Sequence, residues 1–159
     1  MEQQGNPNIL LVGVGGIGGM TIELLAPALE RIQRTCTITL MDGDTVEATN
    51  LGHQRFTKSD IGKPKTEVLA QRFTDFEYVT CHSVAENLRD AEQLEGYDFI
   101  LIGVDRPLPR RLVHASEIPW IDMRSTGDGH VYFTSESHTD LVTMMTPVSY
   151  THLTLPTKA

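Results

Sequence analysis

Apolar residues in this chain fall into short continuous runs separated by stretches with helical spacing. Asn8–Val14 (NILLVGV) is apolar throughout and ends in glycines, so it predicts a strand buried on both faces. Ile17, Met20, Thr21, Leu24, Leu25 and Ala28 then recur with a 3.6-residue period, predicting a helix packed on a sheet. Pro27 falls late in that stripe and predicts a kink or an end nearby. Cys36–Met41 (CTITLM) is β-rich and predicts a second strand. After a polar stretch, Lys63–Phe73 places Thr66, Leu69, Ala70 and Phe73 on one helical face. Tyr78–His82, Tyr97–Val104 (YDFILIGV) and Pro119–Met123 predict three more strands, with a helix over Leu108–Glu117 before the last. Gly127-Asp128-Gly129 marks a turn ahead of His130–Thr134 and Leu141–Met145, which predict antiparallel strands joined by a polar turn.

Strands alternating with helices predict an α/β domain of Rossmann-like type. Its sheet is doubly wound and mainly parallel, with antiparallel strands at the C-terminal end. The domain is expected over residues 1–147. Val148–Thr157 (VSYTHLTLPT) changes composition abruptly and resembles a translated sequencing adapter. Residues 148–159 are therefore expected to be a non-native tail on the N-terminal part of a longer protein.

Composition narrows the function. A net charge of -8 without a lysine/arginine cluster argues against a nucleic-acid surface, which needs concentrated positive charge. A few cations in a cleft could still hold one nucleotide. No apolar run approaches the ~20 residues that span a bilayer, and the first residues show no leader, so no membrane partner is expected. Cys36 and Cys81 form no CxxC pair and read as small buried hydrophobes of a cytoplasmic protein.

The candidate chemistry begins at Gly13-Val14-Gly15-Gly16-Ile17-Gly18, a G-x-G-x-x-G pattern at a predicted strand-to-helix turn. Side chains there would keep phosphates from the backbone amides, and the helix N-terminus adds donors and a positive dipole end. Asp42, 24 residues after Gly18, ends the second strand, where a carboxylate can accept from both ribose hydroxyls. Up to this point an NAD(P)-dependent oxidoreductase accounts for every feature.

The next segment separates the classes. Asp42-Gly43-Asp44-Thr45-Val46-Glu47-Ala48-Thr49-Asn50-Leu51, then Gln54, then Ile61-Gly62-Lys63-Pro64-Lys65, resembles a block of the ThiF/MoeB/HesA family of ubiquitin-activating-like adenylating enzymes. That block reads D-x-D-x-V-x-x-x-N-L-x-R-Q followed by G-x-x-K. The resemblance runs from Asn8 to Met145 and includes Asp105, with Arg110 at the family's D-x-x-x-x-R spacing. It implies ATP and Mg²⁺ as ligands: Gly13, Gly15, Gly16 and Gly18 at the phosphates, Asp42 on the ribose with Asp44 beside it, and Asn50 and Lys65 on the triphosphate. It implies Asp105 as the metal ligand. The implied reaction is attack of the C-terminal carboxylate of a ubiquitin-like or sulfur-carrier protein on the α-phosphate. A homodimer is implied by analogy.

The chain departs from the family at three places. His53 stands where the family has arginine, so Arg55, two residues on, must supply that charge or the phosphates lose a contact. Arg106 replaces the asparagine common after the metal-binding aspartate. The helix that precedes the first strand in many relatives is not present in these residues. These departures leave room for a non-catalytic, nucleotide-binding member of the family. Lone His114, His130 and His138 show no ligand spacing, and solvated or core-edge positions are expected for them.

Overall fold

The computed structural model describes residues 5–126 and 129–137. The expected strand at Leu141–Met145, His138 and the 148–159 segment lie outside the described residues. Six strands form one sheet: β1 (Asn8–Val12), β2 (Cys36–Met41), β3 (Val79–Val84), β4 (Phe99–Ile102), β5 (Trp120–Thr126) and β6 (Gly129–Thr134). Their order is β3-β2-β1-β4-β5-β6. All neighbours run parallel except β5 and β6, which pair antiparallel with Ile121 opposite Thr134. The doubly wound, mainly parallel sheet expected from the alternation is therefore present, and β6 finds its antiparallel partner in β5.

Alternation along the central strands sends side chains to two separate cores. Leu11, Ile38, Leu40 and Leu101 pack on one face with Ile22 and Ala26 of α1 (Gly16–Arg31) and with Val68 and Leu69 of α2 (Lys65–Gln71). Leu10, Val12, Ile100 and Ile102 pack on the other with Leu94 and with Val113 of α3 (Pro107–Ala115). Strands covered on both faces carry no polar alternation, which is why they read as unbroken apolar runs.

Element ends differ from expectation where backbone geometry intervenes. Helix α1 does not stop at Pro27 but continues to Arg31. Pro27 is exposed, so water can meet the carbonyl left without a donor, and Ala26 beside it still anchors the helix to the core. Helix α2 is shorter than predicted because Lys63 and Pro64 belong to a bridge instead. Val46 N–H donates to the Lys63 carbonyl, Gly62 N–H to that of Val46, and Thr45 pairs with Pro64. This small clamp ties the loop after β2 to the start of α2.

Strands β1 and β4 end earlier than their apolar runs. At Gly13, φ is +86°, and a Cβ there would lie 2.4 Å from Val104 Cγ1. The chain turns away at these two points, and the crevice opens where the crossovers leave β1 and β4 in opposite directions.

Candidate active site

A cleft of about 450 Å³ lies at the carboxyl ends of β1, β2, β4 and β5. Its floor is the glycine turn. Gly15 caps α1 without a side-chain hydrogen bond, and Gly15, Gly16 and Ile17 line the cleft. The first-turn amides of α1 have no intrahelical acceptors and are available to an anion. Space for a Cβ is open at Gly16, whereas a Cβ at Gly18 would sit 1.8 Å from the Gly13 carbonyl oxygen. Gly18 therefore lets the helix close on the strand, and Gly15 and Gly16 leave the approach to the amides clear.

Asp42 lines the same cleft and organises its rim. Its Oδ2 accepts from Val14 N–H at 2.8 Å and its Oδ1 from Asp44 N–H at 2.9 Å. Each oxygen retains a lone pair, so the carboxylate holds the glycine turn and can still receive ribose hydroxyls.

Lys65, at the first position of α2, is brought to the cleft by the clamp. Its N–H donates to the Asp44 carbonyl at 3.0 Å, and its Nζ lies 3.6 Å from Asp44 Oδ2. The Lys65 side chain is only 6% exposed, so its charge is poorly hydrated and faces a confined space. A second cavity of about 300 Å³ shares Asp44 and Lys65 as walls and adds Asn50. Asn50 sits in the 3-10 turn Ala48–Gly52, where its Oδ1 accepts from Glu47 N–H at 2.9 Å. Its amide NH₂ has no hydrogen-bond partner among the described residues.

Asp105 follows β4, is exposed and lines the main cleft. It has no hydrogen-bond partner among the described residues and does not cap α3, whose N-cap is Arg106. No group of three metal-binding side chains exists among the described residues. A divalent cation here would take Asp105 as its protein ligand and share its remaining oxygens with phosphates, as Mg²⁺ commonly does.

The cleft does not gather Arg55. That side chain is 68% exposed, and its Nε pairs with Glu23 Oε2 at 3.2 Å on the α1 side. Glu23 also pairs with Arg72. His53 is exposed, and its N–H closes the Asn50 turn. Arg110 is buried behind the cleft wall, donating to Asp122 Oδ1 at 3.2 Å.

Several cleft residues carried no functional assignment from the sequence: Asn87, Met123, Arg124 and Ser125. Asp122, fully buried, anchors Arg124 through Nε at 3.1 Å and Nη2 at 2.6 Å. His114 Nε2 donates to the same carboxylate at 3.0 Å and its ring stacks on Trp120, so this histidine is a core-edge group with one specific partner. Burial raises the Asp122 pKa, but the hydrogen bonds from His114 and Arg124 and the charges of Arg110 and Arg124 outweigh it, leaving a value of about 2. The available signal was an aspartate inside an apolar strand with an arginine two residues on. Cys36 and Cys81 are free, and burial pushes both thiols up, Cys81 to about 12, which keeps them protonated.

Fold and cleft together define a Rossmann-type domain whose glycine turn, Asp42 and confined Lys65 line one cleft at the strand ends. The chain belongs to the ThiF family, whose profile matches residues 1–152. Among curated proteins it is similar to the NEDD8-activating enzyme E1 catalytic subunit of Saccharomyces cerevisiae. The two are 33% identical over 141 residues, 77% of this chain and 46% of that protein. It is also similar to the adenylyltransferase and sulfurtransferase UBA4 of Yarrowia lipolytica, at 31% over 116 residues, 69% of this chain and 28% of the relative. Among solved structures, E. coli MccB with ATP superposes with a TM-score of 0.69 at 26% identity, over 80% of this chain and 40% of that one. The chain spans less than half the length of each of these relatives. No helix among the described residues is long and apolar enough to cross a membrane.

Proposed function

We propose that this domain binds Mg·ATP and adenylates the C-terminal carboxylate of a ubiquitin-like or sulfur-carrier protein. The observation that carries the reading is the single cleft uniting the glycine turn, Asp42, Lys65 and Asp105. An oxidoreductase would use the glycine turn and Asp42 alone. It has no need of a clamp that presents a buried lysine to the space that an unpartnered carboxylate, Asp105, also lines. The names of the similar proteins, an E1 catalytic subunit and an adenylyltransferase, support the same reaction class.

The residues present suit this chemistry. In the reaction a carboxylate oxygen bonds to the α-phosphorus, the bond to the β-phosphate bridging oxygen breaks, and pyrophosphate leaves with that electron pair. The nucleophile is already ionised, so no general base is required. The domain must hold the nucleotide in line and neutralise charge. Asp42 orients the ribose, the first-turn amides of α1 receive phosphate oxygens, Lys65 lies against the triphosphate, and Asn50 contributes its NH₂. Mg²⁺ held by Asp105 would screen the charge on the leaving pyrophosphate. We assign the working unit as a homodimer in the cytoplasm. The family resemblance supports the first, and two free cysteines, Cys36 buried and Cys81 half-buried, support the second.

Titration of the chain with Mg·ATP and with NAD(H) tests the reading. Magnesium-dependent ATP binding is expected, with the magnesium dependence lost in Asp105→Ala. A preference for NAD(H) would overturn it in favour of the oxidoreductase.

A further inference from the structure

On the adenylating reading, a basic side chain besides Lys65 would help offset the charge of the triphosphate, and the structure shows which arginine is placed to do so. Arg55 points to Glu23 and does not line the cleft. Arg106 does line it, directly beside Asp105. We propose that Arg106 is the arginine that contacts the phosphates of ATP in this protein, taking the part that the residue at position 53, a histidine, cannot perform.

Three observations support this. The Arg106 guanidinium reaches from the end of β4, past the end of β1, to the loop after β2. There its Nη2 lies 3.4 Å from Asp44 Oδ1, and its Nη1 donates to Asn87 Oδ1 at 3.2 Å. Arg106 and the glycine turn line the same cleft. Second, Asp44 is a carboxylate set between two cations that line the same cleft, Arg106 on Oδ1 and Lys65 on Oδ2. An anion between a guanidinium and an ammonium marks a place where those groups converge on negative oxygen. A triphosphate, with more charge and more oxygens, competes for both. Third, the contact is built to exchange. The Arg106 side chain is 60% exposed and that of Asp44 47%, and ion pairs so hydrated hold their partners weakly.

Local sequence places the strap. A Cβ at Gly43 would lie 2.5 Å from Asn87 Nδ2, so glycine leaves room for the Asn87 amide to lie where its oxygen accepts from Arg106. A planar guanidinium can bridge two phosphate oxygens, which a lysine at this position would not do.

Binding measured on the whole chain by isothermal titration, with Mg·ATP and with adenosine, tests the assignment. Arg106→Asn is expected to weaken Mg·ATP about tenfold or more, the loss of one charge-assisted hydrogen bond, while adenosine is held as before. Arg106→Lys should recover part of the loss, and Arg55→Ala should cost less than Arg106→Asn. If wild-type chain binds Mg·ATP and Arg106→Asn binds it equally well, the assignment fails and the adenylating reading stands. Equal weakening of ATP and adenosine also overturns it, by moving Arg106 away from the phosphates. If Arg55→Ala shows the larger loss, position 55 is the phosphate arginine after all. Wild-type chain that binds NAD(H) and not Mg·ATP overturns both readings together.

Discussion

Two carboxylates in this domain are each held between basic side chains, and their surroundings set them apart. Asp44 lies between Lys65 and Arg106 at the cleft mouth with its side chain 47% exposed. Asp122 lies between Arg110, His114 and Arg124 at zero exposure. In water the attraction between such charges is weak and salt-screened; in the interior each ion has lost its hydration and depends on its partners. The first cluster can therefore trade its carboxylate for a ligand, and the second cannot. One serves exchange, and the other braces β5 against α3 so that the cleft wall keeps its shape.

The contrast can be broken by removing each carboxylate in turn. Asp122→Ala removes the buried carboxylate that Arg110, His114 and Arg124 share and is expected to lower stability by about 3–5 kcal/mol in urea unfolding. Asp44→Ala should cost less than that, because its pair with Arg106 is exposed and Lys65 is the one buried cation that loses it. Similar losses at the two positions would remove the distinction.

Acid sharpens it further. Asp122 has a folded pKa of about 2 against an ordinary 3.8, a depressed carboxylate. Its contribution is fully present above pH 3.8 and is lost as pH falls through about 2, an effect on the order of 2 kcal/mol. Stability followed by circular dichroism from pH 5 down to 2 should show this decline, and Asp122→Asn should flatten it. A slope unchanged in that variant would place the titration elsewhere.

The smallest expected effect is ionic. The stability difference between wild type and Asp44→Asn should shrink in about 0.5 M salt, where the screening length is a few ångströms and the exposed Arg106 pair is screened. The difference for Asp122→Asn should persist. A salt-insensitive Asp44 would mean that the cleft shields it more than its exposure indicates.

Much of the architecture was legible in residue order. Buried parallel strands announce themselves as apolar runs such as Leu10 to Val12 and Ile100 to Ile102, because both faces are covered. The glycine turn and Asp42 were legible for a related reason: the strand–turn–helix unit is local, and Asp42 lies at the end of the neighbouring strand, bonded to Val14. Lys65 was identified through its block, and the clamp of residues 44–46 on 62–65 explains why that spacing matters. Helix ends were less legible, since Pro27 breaks one hydrogen bond and the packing of Ala26 outweighs it.

The destinations of the long cations were decided only in three dimensions. From sequence, Arg55 stood nearest the position where an arginine was wanted, and Arg110 held a suggestive spacing from Asp105. In the fold, Glu23 of α1 takes Arg55, Asp122 of β5 takes Arg110, and Asp44 with Asn87 takes Arg106 across the cleft. A guanidinium ends a flexible side chain, and its site is set by whichever carboxylate another element brings within reach. Residue order determined the sheet, the glycine turn and the ribose-side acid, all products of local periodicity and short-range geometry. Tertiary structure alone decided which arginines line the cleft, because the partners of these long side chains come from distant parts of the chain.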